Sequence, residues 1–149
     1  MPENAQTADT PVFMRDYRNT VDAQWRVTVP ATWRFAERAE LFIRIKGDHL
    51  VVMPRAEVER FRAWASELKG TDRTAALAQW GRTTDQTKMD SAGRITLPAE
   101  WAEEVGLQKN SKVVLVGATE NFQIWAEDRH TADAAGLQKR GKALLDSYD

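Results

Sequence analysis

The feature that most constrains this chain is a segment written twice. "DAQWRVTVPATW", Asp22 to Trp33, and "DSAGRITLPAEW", Asp90 to Trp101, align without a gap, and six of the twelve positions are identical: Asp, Arg, Thr, Pro, Ala and Trp. Two more exchange one aliphatic residue for another, Val27 against Ile95 and Val29 against Leu97. Unrelated positions match about 5–7% of the time at ordinary residue usage. An internal duplication explains the match. It implies two similar half-domains related by an approximate twofold axis, since two copies are too few for a solenoid.

The surroundings of each copy repeat as well. "YRNTVD" and "RVTVP" place β-branched residues on either side of "DAQW", which reads as strand, turn, strand. Pro30 stops the strand and suits a helix start, and "ATWRFAERA" fits a short helix. "LFIRIKGDHLVVMP" reads as a hairpin turning at Gly47-Asp48. Val58, Phe61, Ala65 and Leu68 recur at three and four residues, predicting an amphipathic helix stopped by Gly70. "TDRTAALAQWG" predicts a second helix, capped by Thr71 or Asp72 and ended by Gly81.

In the second unit "TKMD" and "RITLP" flank "SAG". "AEWAEEVG" predicts a short helix with Glu100 in its first turn and Gly106 at its close. "KVVLVGATENFQIWA" is a hairpin through Ala118 to Asn121, and "EDRHTADAAGLQKRGKALLDSYD" is helix-like despite Gly136 and Gly141. The expected division is a mobile polar tail over 1–11, a first β unit over 12–56, a helical pair over 57–81, a second β unit over 82–128 and a C-terminal helical segment over 129–149. The tail has neither a basic start nor an apolar run, so it is not expected to be a signal peptide.

Composition narrows the function. There is no cysteine, so disulfides, thiolate nucleophiles and cysteine metal sites are excluded. His49 and His130 have no second histidine nearby in sequence, and no metal site is expected. The chain has no G-x-S-x-G, no glycine-rich phosphate loop and no H-E-x-x-H. Its carboxylates fall on solvated helix faces such as "AEVERF". No catalytic constellation is present, so neither an enzyme, a cofactor nor a small-molecule substrate is expected. The net charge of -1 offers no global field for nucleic acid or membrane, which argues against indiscriminate coating of nucleic acid but leaves room for a local basic face. No stretch approaches the roughly 18 apolar residues of a membrane span, and a cytosolic location is expected.

The intact copy, "DSAGR", has a definite chemistry. Asp90 can accept a hydrogen bond from the backbone N–H two residues on, closing a turn. Gly93 suits a position with φ above zero. Arg94 then leaves the turn with its direction set, Ile95 and Leu97 share one strand face, Thr96 takes the other, and Pro98 ends the strand. Two readings stay open: Asp90 and Arg94 pair to staple the hairpin, or Arg94 projects towards a phosphate or a guanine edge.

Two "D-x-x-[G/W]-R-[VI]-T-[LV]-P" motifs, each followed by a short helix and a hairpin, resemble the MraZ family, within the AbrB-like swapped-hairpin DNA-binding superfamily. The resemblance runs from about Phe13 to about Arg129 and is sharpest in "DSAGRITLP" and "VVLVGATENFQIWA". It implies an α+β fold in which two AbrB-like swapped-hairpin β units form a pseudo-dimer, with packed helices alongside. It implies a transcriptional regulator, usually a repressor, of the bacterial division and cell-wall gene cluster. Such a protein acts in the cytoplasm, at the nucleoid, as a ring-like homo-oligomer on promoter repeats in double-stranded DNA. Carried over to this chain, the turn arginines that contact DNA are Arg94 and Arg26. Lys88, Arg15 and Arg18 are the expected phosphate contacts, and Asp90, Gly93 and Asp22 the turn-holding residues. A ring also offsets the small charge, because several turns held at the spacing of repeats add avidity of about 10² to 10⁴. Two alternatives remain. One is an AbrB-like antitoxin with a toxin partner, although such antitoxins usually have one hairpin unit and an acidic tail. The other is an oligomeric scaffold that has lost DNA binding.

The first copy departs from the family, which mostly has Lys-Gly where this chain has Gln24-Trp25. Gln24 lacks the cation, and a bulky residue at left-handed geometry costs about 1–2 kcal/mol. Either the first turn takes another geometry or the fold bears the strain. Trp25 has three readings: cover for apolar surface, drift in an unused copy, or a wedge or stacking platform against DNA. Near the first turn in sequence, Arg15, Arg18, Arg26, Arg34 and Arg38 face Asp16, Asp22 and Glu37; near the second, Arg82, Lys88 and Arg94 balance Asp85, Asp90 and Glu100. Trp33 and Trp101, at one repeat position, are expected as equivalent anchors, Trp64 and Trp80 as contacts of helix on sheet, and Trp125 as core.

Overall fold

The computed structural model describes residues 11–34 and 40–149. The strands are β1 (Asp16–Thr20), β2 (Arg26–Thr28), β3 (Leu41–Lys46), β4 (His49–Pro54), β5 (Thr84–Thr87), β6 (Arg94–Thr96), β7 (Lys112–Gly117) and β8 (Phe122–Ala126). The α-helices are α1 (Arg55–Ser66), α2 (Gly70–Arg82), α3 (Ala99–Glu104) and α4 (Glu127–Tyr148), and Ala31–Trp33 form one 3-10 turn. No helix among the described residues is long and apolar enough to cross a membrane.

The duplication becomes a pseudo-twofold axis. Six strands form an antiparallel sheet in the order β1-β7-β8-β4-β3-β5, and exchanging the two units maps that order onto its own reverse. Each unit lends its first strand to the other: β1 pairs with β7, and β5 with β3. The axis passes between Val51 and Gln123 where β4 meets β8, and between Val27 and Ile95 where β2 meets β6 in a separate two-stranded ribbon. The chain is thus a duplicated β-unit α+β fold built as a pseudo-dimer.

Alternation along the strands divides the core. Leu41, Ile43, Leu50 and Val52 face the main core with Phe122, Ile124 and the inward ribbon residues Val27 and Ile95, all at most 1% exposed. Phe42, Val51 and Met53 point to the opposite sheet face and pack against Val58 of α1 and Trp80 of α2. Burial on both faces accounts for the near-continuous apolar runs "LFI" and "LVVM". Trp33 is the largest fully buried side chain. Its ring meets Tyr17 at 4.9 Å and 87°, Phe13 at 5.9 Å and 79°, and Phe122 at 5.1 Å, while its Nε1–H donates to the Met14 carbonyl at 3.0 Å.

Several expectations are corrected. The helix predicted over "ATWRFAERA" is only the turn Ala31–Trp33 where it is described; Arg34 is already extended, and 35–39 lie outside the described residues, as does the predicted tail up to residue 10. Helix α1 ends at Ser66, before Gly70, and Gly70 instead opens α2 with φ at 59°. Neither Thr71 nor Asp72 caps that helix; its N-cap is Lys69, which makes no side-chain capping bond, and the helix runs past Gly81 to Arg82. The C-terminal segment is one helix of 22 residues through Gly136 and Gly141, each glycine's propensity loss of about 1 kcal/mol being too small to break it. Trp101 is half-buried, unlike its repeat counterpart Trp33. Trp64 is 57% exposed, whereas Trp80 stacks on Phe61 at 4.1 Å and 7° and carries the Arg44 guanidinium over its ring at 4.3 Å.

Candidate nucleic-acid interface

The two D-x-x-x-R turns have one hydrogen-bond pattern. The Asp22 N–H donates to the Arg26 carbonyl at 2.9 Å, and the Asp90 N–H to that of Arg94 at 2.8 Å. The Asp22 Oδ1 accepts from the N–H groups of Gln24 at 2.8 Å and Arg26 at 2.9 Å, as the Asp90 Oδ1 does from Ala92 at 3.0 Å and Arg94 at 2.8 Å. The second carboxylate oxygen accepts the arginine Nε–H, at 2.8 Å in the first turn and 2.9 Å in the second. The staple is therefore formed in both copies. It takes only Nε: the terminal nitrogens of Arg26 and Arg94 make no hydrogen bond or ion pair among the described residues, and the side chains stay 28% and 35% exposed. Stapling and outward projection coexist, because the bond at Nε orients the rest of the guanidinium.

The first turn keeps its geometry and the fold bears the strain. Trp25 has φ at 59°, beside 81° for Gly93. Such strain persists where neighbouring contacts over-determine the backbone. Here the Trp25 N–H donates to the Asp22 carbonyl at 3.2 Å, and the Trp25 carbonyl accepts the N–H of Leu97, from the other unit, at 2.8 Å. The Gly93 carbonyl likewise accepts the Val29 N–H at 2.8 Å. The indole of Trp25 packs, half-buried, against the main core.

The ribbon turns its polar side outward. Val27 and Ile95 are buried, so Arg26, Thr28, Arg94 and Thr96 share the opposite face, with Arg26 across from Thr96 and Thr28 across from Arg94. Asn19 donates to the Thr28 carbonyl at 2.7 Å, and its repeat counterpart Thr87 to the Thr96 carbonyl at 3.1 Å, tying both strands to the sheet. The antiparallel pairing sets the turns at opposite ends of the ribbon, four residues or about 13 Å apart.

Of the other residues singled out by sequence, Lys88 lies exposed beside the second turn, with no ion pair among the described residues. Arg15 and Arg18 are not brought there. Arg15 precedes β1 at the end away from the first turn, a strand length of roughly 17 Å. Arg18 pairs with Glu127 of α4 at 3.2 Å. Arg34, a near neighbour of the first turn in sequence, lies over the second: its Nε–H donates to the Val29 carbonyl at 3.2 Å, and a Cβ built on Gly93 would stand 2.5 Å from its Cζ. Lys109, which sequence proximity does not pick out, holds its ammonium 5.8 Å over the Trp25 ring. Each turn thus receives a cation from the other unit. Arg38 is outside the described residues.

The turns also predict an acid response. Hydrogen bonding from the Arg94 N–H, helped by its guanidinium and the Ala92 N–H, outweighs desolvation and holds the Asp90 carboxyl below the usual range. At Asp22, burial pushes upward, and the N–H groups of Arg26 and Gln24 with the Arg26 guanidinium outweigh it, again lowering the value. A carboxyl depressed in the folded state stabilises fully above the unfolded value of about 3.9 and loses that contribution as pH falls through the lower folded value. Protection of the Ala92 and Arg94 amides, measured against their intrinsic exchange rate at each pH, is therefore expected to hold down to about pH 4 and to fall below it. Loss of protection already between pH 6 and 5 would refute the staple's hold on the turn.

His49 and His130, far apart in the chain, both contact Trp125: His49 stacks on its ring at 4.4 Å and 12°, and His130 meets it edge-on at 6.3 Å. Among the described residues no group of three or more His, Asp or Glu is placed to hold a metal ion.

Comparison with known proteins adds an independent line. A family model described as "MraZ protein, putative antitoxin-like" matches residues 82–139. The chain is 34% identical over 117 residues to the transcriptional regulator MraZ of Mycobacterium ulcerans (strain Agy99), covering 76% of this chain and 80% of that protein. It is 32% identical over 140 residues to the transcriptional regulator MraZ of Mycobacterium sp. (strain KMS), covering 92% of each. The protein of the same name from Mycobacterium tuberculosis (strain ATCC 25177 / H37Ra) is 33% identical over 117 residues, 76% of this chain and 80% of that one.

Proposed function

Because this chain belongs to the MraZ family of transcriptional regulators, we propose that it binds double-stranded DNA in a sequence-specific manner and represses transcription from promoter repeats of the bacterial division and cell-wall gene cluster, as a ring-like homo-oligomer. The observation that carries this is the outward face of the β2–β6 ribbon. A two-stranded ribbon is narrow enough to enter the major groove, which is about 12 Å wide. This one presents Arg26 and Arg94 with Thr28 and Thr96, and each arginine is aimed by an aspartate at Nε while its terminal nitrogens stay available. Arginine reads guanine O6 and N7 through such a pair of donors.

A homo-oligomer is supported by α4, where Leu137, Leu144, Leu145 and Tyr148 are 54–86% exposed and recur at helical spacing on one face. The same stripe favours the second reading, an antitoxin that engages a partner protein, in keeping with the wording of the family match.

The test is fluorescence anisotropy on a labelled duplex from upstream of this gene, against a scrambled duplex, between 50 and 200 mM salt. Tighter binding to the upstream duplex at every salt concentration is expected, with sedimentation giving a mass of several chains. Equal binding to both duplexes throughout would remove the regulator reading, and a small protein co-purifying in fixed ratio would favour the antitoxin.

A further inference from the structure

Two surfaces of the molecule stand without a partner, and their chemistry matches. The first is a groove of about 410 Å³ where the α1–α2 pair meets the β3–β4 hairpin and the β7–β8 turn, on the sheet face opposite the ribbon. One wall is aromatic: Phe61 stacks on Trp80, and Trp64 stands beside Phe61, 57% exposed. The other is cationic. Arg44 lies over the Trp80 ring, Lys46 is exposed, and neither makes an ion pair among the described residues. The Arg44 Nε and the His49 Nδ1 are buried with no hydrogen-bond partner among those residues, and a buried polar group left unpaired is costly. Glu57, the one carboxylate among the described residues that line the groove, is taken by Arg60 at 2.7 Å, which also pairs with Glu120. The groove therefore lacks an anion carried on an apolar body.

The second surface is the far end of α4. The helix packs on β7 and β8 near its start, but over 131–148 only Ala134 and Gly141 are even half-buried. Tyr148 stands about 27 Å along the axis from His130, at 1.5 Å per residue. Leu144, Leu145 and Tyr148 are exposed at this tip. The last turn holds Asp146 and no basic residue, and Asp149 caps it. Neither carboxylate makes an ion pair among the described residues. The C-terminal end of the helix dipole adds to the negative charge. The tip thus offers apolar side chains among uncompensated anions, which is what the groove lacks.

The pseudo-twofold axis explains why one unit has the groove and the other the tip. Helix α4 follows β8 as α1 follows β4. Helix α1 stops at Ser66 and the chain folds back as α2, bringing Trp80 to the groove, whereas α4 runs on to Tyr148.

We propose that the α4 tip of one copy of this chain seats in the α1–α2 groove of the next, with Leu144, Leu145 and Tyr148 against Phe61, Trp64 and Trp80 and the carboxylates towards Arg44 and Lys46. The contact joins unlike surfaces, so it repeats head to tail and makes a ring where the rotation closes. It rests on the homo-oligomer of the proposed function and names the surfaces that build it. Groove and ribbon lie on opposite sides of the sheet, so the contact leaves Arg26 and Arg94 uncovered.

Sedimentation of two full-length variants, alone and mixed, tests it. Lys46→Glu/Trp64→Ala spoils the groove and Leu144→Ala/Tyr148→Ala the tip. All four side chains are exposed, so neither variant leaves a buried cavity, and thermal melts serve as the folding check. The wild type is expected to sediment as several chains and each variant as a single chain. An equimolar mixture is expected to give a dimer with one copy of each, because one sound groove and one sound tip remain. A folded groove variant that assembles like the wild type would overturn the seat and leave the homo-oligomer standing, as when α4 helices pair with one another. Two folded, monomeric variants that form no dimer on mixing would overturn the head-to-tail contact. A wild type that sediments as a single chain would instead overturn the homo-oligomer and the contact with it.

Discussion

Arg94→Ala is expected to lower affinity for the upstream duplex by about 5- to 150-fold for each turn engaged, the range for losing one two-donor arginine contact to a guanine. The loss is amplified when several chains bind together, because avidity depends on every member. Fold stability is expected to change little. The Asp90 Oδ1 keeps its bonds to the N–H groups of Ala92 and of residue 94, and the pair removed is solvent-exposed. Arg26→Ala is expected to have the smaller effect, since the first turn carries Trp25 where the second carries Gly93 and its overlying Arg34. Anisotropy titrations with upstream and scrambled duplexes measure both variants. Retained affinity and preference in Arg94→Ala would reduce its role to the staple with Asp90.

Trp33→Ala is expected to destabilise the fold by about 3–5 kcal/mol, the usual range for truncating a large buried aromatic. That is a large share of the roughly 5–15 kcal/mol by which domains are stable. Trp33 is 1% exposed, touches Phe13, Tyr17 and Phe122, and its Nε1–H satisfies the Met14 carbonyl. Truncation leaves a cavity between the units and an unpaired carbonyl. Trp101→Ala, at the matching repeat position but half-buried, is expected to cost distinctly less. Urea unfolding of the two variants side by side decides this, and equal losses would contradict the asymmetry of the core.

That contrast marks a limit of sequence reading. Trp33 and Trp101 are indistinguishable in the repeat, but one is enclosed by Phe13 and Phe122 from distant parts of the chain and the other is not. The hairpin turning at Gly47-Asp48 was legible, because its register follows from a two-residue turn and alternating side chains. The end of α1 and the start of α2 were not, because Gly70 was read as a stop and serves as a start. His49 and His130 are far apart in the chain, and only the fold brings both against Trp125.

The sequence by itself determined the duplication, the D-x-x-x-R turns and the residues that hold them. The hydrogen bonds that each aspartate makes in those turns lie within five consecutive residues, so they are local in the chain. Tertiary structure alone decided which cation reaches which turn. The units exchange strands, β1 onto β7 and β5 onto β3, and carry Arg34 over Gly93 and Lys109 over Trp25. Charge and packing act through distance in space, and strand exchange makes that distance shortest between residues remote along the chain.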